Sequence, residues 1–220
     1  MKRVFFAILL AVLTLLAATG IGLGIIHVTD FPYTVDIEAL SIAETSGLDR
    51  EEILANYNAV MDFLTPFSSA EFDLPTLNYS ETGAEHFVDC RNVFNGFYAA
   101  AAVSLSALAF VFSKKKLDKK TLLFSGVFTL TIPVILGIAM ATNFERAFVL
   151  FHAVFFKGET WIFDPAIDEI INILPAEFFL HCGIFIVICW LLAAAAEIVA
   201  GIFGTKIKGS SSETQINTKL

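Results

Sequence analysis

Four long apolar stretches constrain this chain more than any other feature of its sequence. They cover residues 4–28, 93–112, 121–141 and 178–203, and each has the roughly 20 residues that a helix needs to cross a bilayer. The first is too long for the core of a signal peptide, which has about 7–15 residues, so we expect an uncleaved anchor. The pattern predicts an all-α polytopic membrane protein with four transmembrane helices in a single membrane domain, residues 1–220.

The composition supports this assignment and excludes other classes of protein. Hydrophobic residues make up 56% of the chain and charged residues only 16%, whereas soluble domains average about 25% charged residues. This composition excludes a disordered chain and a soluble acidic domain. The net charge of −8 also excludes a nucleic-acid-binding protein, which needs a basic surface.

Lysine and arginine indicate the orientation of the four spans. Ten of the 14 basic residues lie before the first span, between the second and third, or after the fourth. Because basic residues accumulate on the cytoplasmic side, we expect both termini to be cytoplasmic, with residues 29–92 and 142–176 outside. Most of the 22 acidic residues lie in these outward segments. Residues 209–220, which are polar, are expected to form a disordered cytoplasmic tail.

The outward segments 29–92 and 142–176 are expected to form a small, mostly helical extracytoplasmic cap. Residues 49–64 begin with acidic residues and then repeat apolar residues at helical spacing, which predicts a helix. A second helix is predicted to run from about Ala84 into the second span. The apolar segment 144–156 is too short to cross the membrane. Asp164-Pro165 predicts the N-terminus of a short helix that ends at Ile173.

Four histidines, all on the outward half of the chain, are the first candidates for chemistry. An ionisable group near hydrocarbon is costly to bury, so a functional role is considered first; the alternative is an interfacial imidazole bonded to a backbone carbonyl. Two of the four have polar neighbours. Asp89 and Cys90 follow His86 at i+3 and i+4, on the same helix face, and charged residues flank His152. The four are His27, His86, His152 and His181.

Three kinds of chemistry are compatible with these side chains. Cys90 and His86 can act as nucleophile and base and form an acyl-enzyme. His86, Asp89, Cys90 and His152 can instead bind zinc. In the third, the two histidines act as general base and general acid in an acyl transfer that requires neither a nucleophile nor a metal. We favour the third, because it uses only residues that the sequence clearly offers.

Several motifs carry a family resemblance that covers nearly the whole chain. They read HFVDCR at 86–91, FHAVFF at 151–156, WIFDP at 161–165 and LPAEFF at 174–179, together with Asp168 and the helix at 47–64. With these motifs and four spans, the chain resembles the lipoprotein intramolecular transacylase (Lit) family of bacterial integral membrane proteins. The family pattern has an aliphatic residue at the position of Cys90, which argues against a thiol nucleophile.

The resemblance implies a specific reaction. Enzymes of this family move the sn-2 acyl chain of a diacylglyceryl lipoprotein onto the amine of its N-terminal cysteine, leaving a lyso-form lipoprotein. His86 and His152 would be the catalytic pair: one takes a proton from the amine and the other protonates the departing glyceryl oxygen. The substrate-binding residues are expected to be Asp89, Arg91, Arg146, Phe151, Phe155, Phe156, Trp161 and Asp164. The 23 phenylalanines, clustered partly around the two histidines, suggest an aromatic chamber for acyl chains.

The expected partners are a diacylated lipoprotein and membrane lipid, with no nucleic acid, no cofactor and no metal. The expected location is the bacterial cytoplasmic membrane, crossed several times. The alternative is a non-catalytic membrane protein that binds lipid or lipoprotein in its extracytoplasmic cap. A transporter is disfavoured, because four short spans without paired broken helices give no sign of a translocation path.

Overall fold

The computed structural model of the chain describes residues 1–114 and 117–203. Within these ranges the regular structure is helical, with eight α-helices and one short 3-10 helix. The α-helices are α1 (Lys2–Thr29), α2 (Tyr33–Ala39), α3 (Ile42–Ser46), α4 (Arg50–Leu64), α5 (Glu81–Lys114), α6 (Lys119–Thr142), α7 (Phe144–Phe155) and α8 (Ala176–Phe203). The 3-10 helix is Glu169–Asn172.

Four of these helices, α1, α5, α6 and α8, are long and apolar enough to cross a membrane. They pack as a bundle in which α6 has its largest contact with α8, and α1 contacts α5, α6 and α8. The all-α membrane fold predicted from the sequence is therefore confirmed. The limits of the bilayer along each helix and the orientation of the termini stay predictions. The predicted tail at 209–220 lies outside the described residues, as do Lys115, Lys116, Lys206, Lys208 and Lys219.

Helix α5 is much longer than the hydrocarbon core of a bilayer is thick. Its 34 residues correspond to about 51 Å of helix, whereas the hydrocarbon core of a bilayer is only about 30 Å thick. It begins at Glu81, three residues before the predicted start at Ala84. The first turns of α5, which contain His86 and Phe87, therefore lie with the cap.

The cap has its own apolar core, built from α2, α4 and the segment that precedes α8. The ring of Tyr33 stacks on that of Tyr57 at 3.8 Å between centroids, and both contact Phe178 of α8. The Tyr33 hydroxyl donates to the carbonyl of Ile173 at 3.0 Å. Helix α4 begins where predicted, because the Asp49 side chain accepts a hydrogen bond from the Glu52 amide at 2.9 Å.

The short helix predicted from Asp164-Pro165 to Ile173 is wrong. The Asp164 carboxylate accepts from the Ala166 amide at 3.0 Å and its backbone carbonyl accepts from the Asp168 amide at 2.7 Å, but this single turn does not continue as an α-helix. Only Glu169–Asn172 is helical, and it is a 3-10 helix. With three residues per turn, this geometry places Ile170 and Ile173 on one face, and both are buried in the cap core.

The bundle contains one buried carboxylate, Glu197 of α8. It accepts hydrogen bonds from the hydroxyls of Thr14 on α1 at 2.7 Å, and of Ser125 and Thr129 on α6 at 3.0 and 2.8 Å. A charge in hydrocarbon needs such partners, because an unpaired ionised group there is costly. The carboxylate thereby joins three of the four long helices.

Gly126 permits the close approach of α6 and α8, and a side chain there should destabilise the bundle. A Cβ atom at Gly126 would lie 3.0 Å from the backbone nitrogen of Ile198 and 3.1 Å from the carbonyl oxygen of Ala194. We therefore expect Gly126→Ala to lower the free energy of unfolding by about 1–3 kcal/mol, the usual cost of overpacking, measured by thermal unfolding in detergent.

Gly137→Ala is the matched control, because it lies on the same helix and gains the same helical propensity. A Cβ at Gly137 would lie 3.9 Å from Cγ1 of Val187, an ordinary contact. This variant should be as stable as the wild type or more so. Equal melting temperatures for the two alanine variants would contradict the packing argument.

Candidate active site

Two buried histidines from separate helices face each other at the boundary between cap and bundle. His86 lies in the second turn of α5, and His152 lies in the last turn of α7. Their ring centroids are 5.8 Å apart, and each residue is only 7% exposed. The two histidines are 66 positions apart along the chain. The fold therefore brings the two sequence motifs that contain them to one place.

The hydrogen bond of His152 determines which of its nitrogens carries the proton. Its Nδ1 lies 2.8 Å from the carbonyl oxygen of Phe148, one turn earlier on α7. A carbonyl can only accept, so Nδ1 must hold a hydrogen and donate it. In the neutral ring, Nε2 then has a free lone pair. Burial lowers the pKa of His152, and the hydrogen bond to Phe148 opposes this only in part, so the ring is neutral at pH 7.

His86 has the opposite nitrogen available. Its Nε2 lies 3.3 Å from the sulfur of Cys90, one turn later on α5. Its Nδ1 is buried and has no hydrogen-bond partner among residues 1–114 and 117–203. When the Cys90 thiol donates to Nε2, the hydrogen of the neutral His86 ring is on Nδ1. In that tautomer the site offers one acceptor nitrogen, Nε2 of His152, and one donor nitrogen, Nδ1 of His86.

Aromatic rings surround both imidazoles. The Phe156 ring is 4.8 Å from that of His86 and 5.3 Å from that of His152. Trp161 lies 4.6 Å from His152, and Phe151 lies 5.5 Å from it, centroid to centroid. These three aromatics were predicted as substrate-binding residues, and the structure brings all three to the histidines.

Two further rings of this cluster were missed in the substrate-binding prediction. Phe148 lies 4.2 Å from the ring of His152, and Phe163 lies 5.5 Å from the ring of His86. Phe148 precedes His152 by four residues and belongs to the phenylalanines that cluster around this histidine in the sequence, although it was not among the expected substrate-binding residues. Phe163 lies in a loop 77 residues from His86, and only the tertiary fold brings it there.

The other predicted substrate-binding residues lie around the cluster or are engaged elsewhere. The Arg91 guanidinium lies 4.0 Å above the ring of Phe63 and donates to the carbonyl of Ala70 at 2.7 Å. Phe155 is 40% exposed and packs against Phe151 and Phe97.

Three charged residues of the predicted set complete this inventory. Asp89 is half-buried on α5, one turn after His86. Arg146 is exposed in the first turn of α7. Asp164 is exposed, and its side chain closes the turn described above. Their contacts with a substrate stay predictions.

The zinc hypothesis finds no matching geometry in the described part of the chain. Within it, no three His, Cys, Asp or Glu side chains are grouped so that they could hold a metal ion. The four ligands considered from the sequence, His86, Asp89, Cys90 and His152, therefore do not form such a group. What the geometry offers is a pair of imidazoles in an apolar, aromatic environment.

The chain is similar in sequence and in fold to known proteins. A family model described as "Lipoprotein intramolecular transacylase Lit" matches residues 4–179. The membrane integral Lit of Bacillus cereus has a solved structure that is similar with a TM-score of 0.81 and 28% identity, covering 89% of this chain and 92% of that one. A second structure, with a histidine changed to arginine, gives a TM-score of 0.74 at 27% identity over 92% of this chain and 91% of that one.

A sequence relative from Aquifex aeolicus (strain VF5), an uncharacterized protein, is 31% identical over 136 residues. This match covers 61% of the present chain and 62% of that protein, so it spans less than two thirds of the relative's length.

The burial of His152 predicts an acid-shifted titration. Because burial lowers its pKa, we expect the midpoint below the ordinary 6.5, measured by NMR of the labelled imidazole. The same shift makes protonation unfavourable to the folded state, so the contribution of His152 to stability is complete above pH 6.5 and is lost as the pH falls through the lowered pKa. His152→Asn identifies the resonance, and a midpoint of 6.5 or higher would disprove the assignment.

Proposed function

The chain belongs to the lipoprotein intramolecular transacylase (Lit) family, and from this premise we propose that it moves the sn-2 acyl chain of a diacylglyceryl lipoprotein to the amine of the N-terminal cysteine. The product is a lyso-form lipoprotein. The observation that carries this proposal is the pair of buried imidazoles, 5.8 Å apart, in which Nδ1 of His152 is bonded to a carbonyl and Nδ1 of His86 has no hydrogen-bond partner among the described residues.

His152 is the proposed general base. Its Nε2 takes a proton from the substrate nitrogen as that nitrogen attacks the ester carbonyl carbon. The new C–N bond forms, the ester C–O bond breaks, and the departing glyceryl oxygen needs one proton. Protonated His152 returns that proton, so the reaction is balanced without water or any co-reactant. A lowered pKa favours the neutral ring that this base must have before each turnover.

His86 is proposed to donate a hydrogen bond from Nδ1 to the oxygen on which negative charge develops. This differs from the acid–base pair expected from the sequence. A neutral His86 that gave up its Nδ1 proton would become an anion in a site with little water, which is unfavourable. Donation of a hydrogen bond from a fixed position stabilises the oxyanion without that cost. The Cys90 thiol has the secondary task of holding the ring in the required tautomer.

The aromatic rings are proposed to hold acyl chain and exclude water. Phe151 and Phe155 are 45% and 40% exposed, whereas Phe156, which contacts both imidazoles, is only 8% exposed. An acyl chain can thus lie on the exposed rings of Phe151 and Phe155, with its ester carbonyl next to the buried ring of Phe156. Low water content matters because hydrolysis of the ester competes with transfer to the amine. Asp89, Arg91, Arg146, Trp161 and Asp164 remain the proposed contacts for the rest of the substrate.

The membrane placement expected from the sequence is part of this proposal. The protein is membrane-integral, and we place it in the bacterial cytoplasmic membrane with both termini cytoplasmic and the cap outside. The support is the sequence, in which ten of the 14 Lys and Arg residues precede the first predicted span, separate the second from the third, or follow the fourth. The histidine pair then faces the outer leaflet, where the diacylglyceryl anchor of an exported lipoprotein lies.

Replacement of either histidine should abolish the reaction. We expect His86→Ala and His152→Ala each to reduce the rate by at least about 10²-fold, the usual contribution of a proton-transfer group or a single oxyanion donor. The assay uses the purified protein and a synthetic diacylated lipopeptide. Substrate and product have the same mass, so tandem mass spectrometry must locate the acyl chain on the amine or on the glyceryl oxygen.

His27→Gln is the matched control. His27 contacts Thr65 through Nε2 at 3.0 Å and belongs to neither motif at the site, and a glutamine amide can preserve that contact. This variant should retain wild-type activity. Wild-type rates in both alanine variants would exclude the two-histidine mechanism. Binding of the lipopeptide by the wild type with no rearrangement would favour the non-catalytic alternative instead.

A further inference from the structure

One loop supplies rings to both histidines. We call residues 156–168, which follow α7, the aromatic strap. Phe156 at its start contacts both imidazoles, Trp161 contacts His152, and Phe163 contacts His86. The strap contains no α-helix, so its own backbone hydrogen bonds do not hold it in place as those of a helix would. The position of the strap therefore depends on how its C-terminal end, at Asp168, is attached to the rest of the protein.

Five hydrogen bonds attach that end to the residues just before α5. The Asp168 carboxylate accepts from the amide and the hydroxyl of Ser80, both at 2.8 Å. The Glu169 carboxylate accepts from the amide and the side-chain nitrogen of Asn78 at 2.7 and 3.1 Å. The Glu169 amide donates to the Asn78 carbonyl at 3.1 Å. Of the two carboxylates in this attachment, that of Asp168 is the buried one, because the residue is only 6% exposed.

Asp168 also fixes the start of the helix that carries His86. Ser80 caps α5, because its hydroxyl oxygen accepts from the Gly83 amide at 2.9 Å. A side chain at Gly83 would collide with the Asp168 carboxylate, so glycine is what lets the two segments meet. A carboxylate at a helix N-terminus is further favoured by the helix dipole. His86 lies one turn beyond Gly83 on the same helix.

We propose that Asp168 is a positioning residue for the transfer reaction. It holds the start of α5, the helix that carries His86, and the aromatic strap in a fixed position relative to each other. This inference rests on the proposed function. Asp168 touches none of the reacting atoms and acts through Ser80 and through the strap that carries Phe163. Displacement of a catalytic group by about 1 Å can cost as much as 10²-fold in rate, so an attachment of this kind controls turnover.

The decisive comparison is between two replacements of Asp168. Asp168→Asn keeps an oxygen that can accept both Ser80 hydrogen bonds, whereas Asp168→Leu keeps the size and loses both. We expect Asp168→Leu to lower kcat by about 10–10²-fold with little change in KM, and Asp168→Asn to stay close to the wild type. Glu159→Gln, an exposed carboxylate on the same strap, is the control for loss of charge and should have no effect.

A second measurement does not depend on activity. Diethyl pyrocarbonate modifies accessible imidazoles, and peptide mass spectrometry gives the rate at each histidine. In Asp168→Leu the rate at His86 should rise severalfold, while the rate at His181 stays constant as an internal standard for the folded cap. If Asp168→Leu is not obtained folded, Ser80→Ala, which removes one of the two bonds to Asp168 together with the cap on Gly83, serves in its place with an effect in the same direction.

Wild-type kcat and His86 reactivity in Asp168→Leu would overturn the proposal. Equal losses in the asparagine and leucine variants would overturn it as well, because the proposal depends on the accepting oxygen. If the wild type does not rearrange the lipopeptide, the proposed function fails, and the reactivity of His86 still decides whether Asp168 positions that helix.

Discussion

The continuity of α5 is the constraint on which the rest of the structure depends. A single helix of 34 residues packs against α1 in the bundle and extends into the cap, where Phe87 joins the apolar core. Because a helix is stiff over this length, the contacts of α5 in the bundle and in the cap fix the position of His86. His152 lies close to it on the short helix α7, which is too short to cross the membrane. The site therefore forms where the cap end of α5 meets α7.

The protein stabilises its buried ionisable groups in two different ways. In the bundle, three hydroxyls donate to Glu197, an arrangement that stabilises an acceptor. At the site, a carbonyl accepts from His152, and aromatic rings cover both imidazoles. The first arrangement uses up the hydrogen-bonding capacity of the side chain and joins helices. The second leaves one nitrogen of each imidazole free, which is what proton transfer and oxyanion stabilisation require.

Much of the fold could be predicted, because its signals are local. Apolar length identifies α1, α5, α6 and α8, and an acidic N-terminus with helical spacing identifies α4. The prediction of a helix after Asp164 was wrong, because an Asp-Pro pair is typical of a turn as well as of a helix N-terminus. The tertiary contacts of the following residues determine which of the two forms. Of the site, the sequence indicated the two histidines and three of the rings. The contact between Asp168 and Ser80 joins residues 88 positions apart, and no local pattern indicates such a pair.

The reaction proposed for the site requires few catalytic side chains. Amine and ester belong to one substrate, so the enzyme does not have to bring two molecules together or store the acyl group on a side chain. Its tasks are to bend the substrate until amine and ester meet, to move one proton and to keep water from the ester. Two imidazoles with complementary free nitrogens are suited to the proton and the developing charge, and the rings are suited to water exclusion. A thiol nucleophile at Cys90 would add a thioester intermediate that water could attack, which makes its observed contact with His86 better suited to orienting the ring than to catalysis.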